Sequence, residues 1–395
     1  MATVDGFPRA LLTQPTAARL AYFLGKVVAH PRLTDAHQAV LTALRQPTPP
    51  PLILVVGPTG VGKTTLRHGI ERQLIAEALP DLATDPGRIP VVALEAIAPE
   101  SGQFQWKDFY TRALLALDEP LLAHKIDVPV RGLRRSRDGT IVSERVSAAP
   151  ELRRALEQCL RQRRPTAVLL DEAQHLRKTA SARRLLDHMD LLKSLASLTG
   201  VTHVLIGTYD LLGLVNLSAQ LSRRSVEIHF GRYRADLAED VRAFQSVLLT
   251  FQRCLPLATE PDLVGRWEFL YEQSVGCVGV LKHWLDRALA AALAAGAATV
   301  TARCLQEQAM PARKLLRLAR EMTEGEEALA VAERSGAELR RVLGLAPDRP
   351  LRDDATAVAG AEAAPERART RPAGGRAAQR RPERDPVGVG VADGR

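Results

Sequence analysis

The sequence predicts an α/β core, a parallel sheet covered by helices on both faces, followed by a smaller all-helical domain. Uninterrupted apolar runs such as Leu-Ile-Leu-Val-Val at 52–56 alternate with amphipathic helices, which marks strands buried on both faces. A glycine-rich loop follows the first of these strands. Strand patterning stops after residue 230 while helical periodicity continues.

Composition sets the outer bounds. The 395 residues allow two or three domains. With 46% hydrophobic and 25% charged residues, the chain is globular rather than fibrous or wholly disordered. Lys+Arg 54 against Asp+Glu 45 leaves +9, a surplus that suits a polyanionic partner and equally raises solubility. Cys159, Cys254, Cys277 and Cys304 are far apart and form no Cys-x-x-Cys pair, so neither a disulfide framework nor a zinc knuckle is expected. The N-terminus lacks a basic segment followed by an apolar core, and the most apolar stretch, 288–300, is shorter than the roughly 18 residues of a membrane span. A cytoplasmic protein with no membrane partner is expected.

Taken in order, residues 1–50 read as an N-terminal helical arm. One stripe carries Leu20, Phe23, Leu24, Val27 and Val28, a second Val40, Leu41 and Leu44, and the breaker Gln-Pro-Thr-Pro-Pro-Pro at 46–51 ends it. The α/β domain is expected over 51–232: strand 52–56, helix 63–79, strand 89–95, helix 106–117, helix 151–162, strand 166–171, helix 181–198, strand 201–207 and strand 225–230. An insertion at about 125–146 carries Asp138-Gly139 between β-prone runs and reads as a hairpin. Helical segments at 236–254, 262–275, 279–295 and 301–343 make a lid domain over 233–344. Residues 345–395 are Ala, Pro, Gly, Arg and acid with almost no large apolar side chain, so a disordered tail is expected.

Gly57-Pro58-Thr59-Gly60-Val61-Gly62-Lys63-Thr64, with Thr65 following, satisfies G-x-x-x-x-G-K-[ST] between a strand and a helix. Its glycines let backbone N–H groups curl around phosphates, the helix N-terminus adds its positive end, Lys63 reaches the β and γ phosphates, and the Thr64 hydroxyl ligates Mg²⁺. Ala-Val-Leu-Leu-Asp-Glu at 167–172 is an apolar strand ending in two carboxylates, one crossover after this loop. It reads as a Walker B motif: Asp171 serves the Mg²⁺ side, and Glu172 orients and polarises the attacking water. The plainer alternative is a helix N-terminus with acids in its first turn. Thr208 ends a further apolar strand where a γ phosphate sensor would stand, although threonine also ends strands for turn reasons alone.

Arg223 and Arg224 precede the last strand, where an arginine can enter a neighbour's site or simply be solvated at a helix end. Lys282 lies early in the helix that follows Gly276 and Gly279, a place from which it can touch nucleotide or face solvent. His203 and His283 lack a second ligand at metal spacing. Arg131, Arg134, Arg135 and Arg137 concentrate charge at the hairpin tip, which suits DNA or a protein partner, and Lys107 follows the second strand; these are the candidate DNA contacts, with a solvated loop as the bland alternative.

The order of the Walker A loop, Asp-Glu-Ala-Gln-His-Leu at 171–176, the strand ending at Thr208, Gln-Leu-Ser-Arg-Arg-Ser at 220–225 and His-Phe-Gly-Arg-Tyr-Arg at 229–234, with a helical lid beyond, resembles an AAA+ P-loop NTPase. More narrowly it is similar to the TniB/TnsC transposition regulators over residues of about 20 to 320. That resemblance implies ATP and Mg²⁺ as cofactors and Thr208 as sensor one. It implies Arg223 or Arg224 as a trans arginine finger, and a homo-oligomeric ring or filament on duplex DNA that links a target-selector protein to a transposase. Lys282 stands where many such proteins carry a sensor-two arginine, a departure from the pattern. Two other readings share the same ATP site: a nucleotide-gated switch that recruits proteins, and a helicase loader or replication-initiator relative.

Overall fold

The computed structural model describes residues 6–99, 102–117, 133–135, 141–143, 149–177, 182–215, 225–334 and 341–344. Met1–Ser335 form one compact unit; of the second, Gly336–Arg395, the described part is the turn at 341–344, where Gly344 N–H donates to the Arg341 carbonyl. The expected tail at 345–395 lies outside the described residues.

Helices α1 (Thr16–Leu24) and α2 (Pro31–Leu44) precede strand β1 (Leu52–Val56). His30 caps α2 by accepting the Leu33 N–H at its Nδ1, and Pro31 supplies the first helical residue with φ already set. After β1 come α3 (Lys63–Leu82), β2 (Val91–Glu95) and α4 (Trp106–Ala116). The hairpin strands β3 (Leu133–Arg135) and β4 (Ile141–Ser143) follow. Next are α5 (Ala149–Arg163), β5 (Ala167–Asp171), α6 (Ala182–Thr199), β6 (Thr202–Gly207), the short α7 (Leu212–Val215) and β7 (Ser225–His229). Helix α3 runs past its expected end at 79, because a proline in a last turn, here Pro80, removes one hydrogen bond without stopping a helix about to end.

Among the described residues β2, β5, β6, β1 and β7 form one parallel sheet in that order. The Walker B strand therefore lies two crossovers from the glycine loop, not one, and β6 sits between it and β1. Successive residues of β1 alternate between two cores, as pleating requires. Leu52, Leu54 and Val56 join the cluster built with α4, α5 and α6, whereas Ile53 and Val55 join the one built with α2 and α3.

Helices α8 (Ala238–Cys254), α9 (Trp267–Ser274), α10 (Val278–Ala294), α11 (Ala302–Glu307) and α12 (Ala312–Arg334) follow the sheet. The stretch expected as helix over 301–343 is broken before α12, where Pro311 has no N–H to continue α11. The third core lies among α8, α9 and α10 and includes Phe23 and Val28 from the N-terminal segment. Of the stripe expected on α1, Phe23 and Val28 are buried, while Leu24 and Val27 are exposed.

Candidate nucleotide site

The loop between β1 and α3 owes its shape to close backbone approaches that only glycine permits. Gly60 and Gly62 have φ of +79° and +115°, in the region L side chains avoid. A Cβ on Gly57 would stand 2.2 Å from the Phe230 carbonyl oxygen. The loop is also bonded to α10: Val280 N–H donates to the Gly60 carbonyl at 3.0 Å, and a Cβ on Gly279 would lie 2.5 Å from that oxygen. Gly279 is thus a packing requirement where α10 meets the loop, whereas a Cβ on Gly276 would stand 2.2 Å from the Tyr233 carbonyl oxygen.

Lys63 is buried, and its ammonium donates to the Gly57 and Pro58 carbonyls at 3.0 and 2.8 Å. Burial pushes its pKa below the usual lysine value, while Glu172 and Asp171 act in the opposite direction. Asp171, also buried, accepts the Glu172 N–H at 3.0 Å, and its other oxygen faces the Arg67 guanidinium at 3.5 Å. Arg67 stands one turn beyond Thr64 on α3 and was not among the expected site residues; its position three residues after the motif is the signal that marks it. Glu172 itself has φ +52°, a conformation costly for a residue with a Cβ and common at functional sites.

Gln174 is a second site residue that pattern matching missed. Its side-chain carbonyl accepts the Thr208 N–H at 3.2 Å, and its amide donates to the Glu172 carboxylate at 2.5 Å. A Cβ on Gly207 would fall 2.5 Å from the Gln174 oxygen, so the glycine before Thr208 makes this bridge possible. The Thr208 hydroxyl meets Asp210 at 3.4 Å.

Lys63, Glu172, Gln174 and Thr208 share one cavity of about 380 Å³, whose lining does not include Asp171 or Arg67. Thr59, Gly60, Val61, Gly62, Lys63, Thr64 and Thr65 line one side, and Glu172, Gln174 and Thr208 stand beyond them. Val27, Val28 and His30 from the α1–α2 connection and Val278, Gly279 and Lys282 from α10 complete it. Tyr233 Oη lies 3.0 Å from the Nδ1 of His30 that accepts the Leu33 N–H, and burial pushes this imidazole down to about 4, so it is neutral. Lys282 lines the cavity, but it is ion-paired with Asp286 and lies 4.5 Å from the Phe23 ring centroid. Its charge is already shared within α10. His203 is buried and neutral inside the sheet, and among the described residues no group of His, Cys, Asp and Glu is arranged to hold a metal by itself.

The residues fit a nucleotide phosphate chain with a divalent cation. The glycine loop and the N-terminus of α3 suit phosphate oxygens, and the exposed Thr64 hydroxyl and buried Asp171 carboxylate are the oxygen donors a hard cation would take; such a cation would neutralise charge building on the phosphates.

Other expected residues fall elsewhere. Lys107 is exposed on α4. Arg134 and Arg135 belong to β3, in register with Val142 and Ile141, rather than to the tip of the hairpin. Arg131, Arg137, Arg223 and Arg224 lie outside the described residues.

Residues 48–215 match the family model described as the AAA domain. This AAA domain runs from just before β1 to the end of α7, and with the strand order above it makes the fold that of an AAA+ P-loop NTPase. A search of curated proteins finds no match. Similar solved structures include the ORC2 protein of Aeropyrum pernix in its ADPNP–ADP complexes, at 14% identity over 73% of this chain and 70% of that one, with a TM-score of 0.48. A Walker-type ATPase of Pyrococcus abyssi is 18% identical over 78% and 75%, with a TM-score of 0.43. Domain III of the Thermotoga maritima replication initiation protein DnaA is 14% identical over 76% and 97%, with a TM-score of 0.39.

Proposed function

We propose that the protein is a Mg²⁺-dependent ATPase whose copies stack on duplex DNA and link target-site choice to a transposase, as its likeness to TniB/TnsC regulators implies. One observation carries the nucleotide-gating part: a single cavity is walled by the glycine loop, Glu172 and Thr208 of the AAA domain, and Gly279 of α10. A ligand spanning those walls ties the setting of the lid to the presence of a γ phosphate.

In this reading Lys63 and the loop amides hold the phosphates, Thr64 and Asp171 hold Mg²⁺, and Glu172 takes a proton from the attacking water. Arg223 or Arg224 of an adjacent copy completes the site, so that hydrolysis depends on stacking. Arg131, Arg134, Arg135, Arg137 and Lys107 meet DNA phosphates, which gives affinity with little base readout and leaves target choice to a partner.

Electron microscopy of the full chain with duplex DNA and a non-hydrolysable ATP analogue tests this. Rings or filaments are expected with the wild type, persistent ones with Glu172→Gln and ATP, and none with Lys63→Ala. Nucleotide-dependent assembly that ignores DNA would instead favour the protein-recruiting switch, and capture of a helicase rather than a transposase would favour the loader reading.

A further inference from the structure

Helix α12 is anchored by one face only. Leu315 and Met322 are buried, Met322 Sδ meets Cys277 Sγ at 3.9 Å, and Glu326 forms a two-pronged pair with Arg232 at 2.8 and 3.0 Å. A Cβ on Gly325 would stand 2.1 Å from the Tyr209 ring, so the helix lies directly against the residue after Thr208.

The other face carries the exposed Arg313, Arg317 and Arg320, with the exposed Lys314 at its edge. Among the described residues none of the four forms an ion pair, although Glu321 and Glu324 follow Arg317 and Arg320 by four residues. Elsewhere the same spacing does produce pairs, as in Arg153–Glu157 and Arg303–Glu307. Arg313 and Lys314 occupy the first turn, where the positive end of the helix disfavours cations, and no acid accompanies them there. Arg287 of α10 adds a further guanidinium at this end, donating to the Gln308 carbonyl at 3.0 Å in the connection that enters α12. Among the described residues Arg313, Lys314, Arg317 and Arg320 thus make no ion pair that would favour the folded chain, and two of them oppose the helix dipole.

We propose that this face of α12 is a second phosphate-contact surface, binding the backbone of duplex DNA independently of the hairpin. Along the helix Arg313, Arg317 and Arg320 advance by about 6 and about 4.5 Å at 1.5 Å per residue, so each can meet a different phosphate of a strand charged about every 3.4 Å. An exposed helix face offers charge without the apolar groove that an anchored acidic peptide needs, and a polyphosphate backbone needs only the charge. The identity of the polyanion rests on the function proposed above; the surface itself does not.

The test is the binding of a labelled mixed-sequence duplex to the full chain across a salt series, with a non-hydrolysable ATP analogue present. Replacing all four residues by Gln should weaken binding at least tenfold at low salt and flatten the slope of log affinity against log salt by about 2 to 4. Thermal unfolding should be unchanged or raised, since two cations leave an unfavourable helix end. The variant with Arg313, Arg317 and Arg320 replaced by Lys should keep the wild-type slope. Wild-type affinity and slope in the Gln variant, while the wild type binds duplex, would overturn this surface and leave the proposed function standing. A wild type that binds no duplex would overturn both, and loss of poly-glutamate binding with duplex binding intact would reassign the face to a protein partner and overturn the proposal.

Discussion

The carboxylate of Glu172 is tied to the side-chain amide of Gln174, whose other end accepts the Thr208 N–H. A glutamate with φ +52° is thereby held against the tip of the neighbouring strand β6, so the carboxylate proposed to polarise water and the proposed sensor, Thr208, share one support. Gln174→Leu should lower kcat for ATP hydrolysis by about tenfold to a hundredfold, a part of the worth of a general base, with little change in nucleotide affinity. Steady-state hydrolysis beside equilibrium binding of a fluorescent nucleotide separates the two effects. An equal loss in both would assign Gln174 to nucleotide binding instead.

Contact between α10 and the glycine loop leaves no room for a methyl group at Gly279. Gly279→Ala should cost about 1–3 kcal/mol, through displacement of α10 from the Gly60 carbonyl, and should weaken nucleotide binding with it. Gly69, inside α3, is the control: a Cβ there makes ordinary contact at 3.4 Å, and Gly69→Ala should be neutral or stabilising by up to about 1 kcal/mol. Urea unfolding of the two variants checks the contrast.

The Arg232–Glu326 pair fastens α12 to the segment that follows β7, with both side chains mostly shielded. Glu326→Leu leaves the shielded guanidinium without its carboxylate, keeping the Tyr271 hydroxyl at 3.2 Å, and should destabilise by about 2 kcal/mol, less than a fully buried pair because some solvent reaches it. Arg232→Met combined with Glu326→Leu should recover most of the loss, since an apolar pair replaces the ions. A double variant as unstable as the single one would show that the arginine has another role.

Two buried histidines set a pH window. Burial pushes His30 and His203 down to about 4, so both are neutral in the folded chain. The unfolded chain takes up protons below about pH 6.5, so stability is full above that value and is lost as pH falls from there toward 4. Well inside the window each histidine costs about 1.4 kcal/mol per pH unit. His30→Asn, which can still cap α2, should give a shallower loss of stability between pH 7 and pH 5. An unchanged slope in urea unfolding would remove His30 from the account.

Local chemistry in the chain determined the glycine loop, the apolar strand ending in Asp171, the helices between strands, and the extra helices beyond residue 230. These depend on spacing along the chain, through strand burial, helix periodicity and the φ freedom of glycine. Tertiary structure alone decided that β6 separates β5 from β1, that the α1–α2 connection walls the nucleotide cavity, and that Lys282 spends its charge on Asp286. It also decided that Gln174 joins Glu172 to Thr208 and that α12 leaves Arg313, Lys314, Arg317 and Arg320 exposed, because such relations join residues distant in sequence or depend on which helical face the core covers.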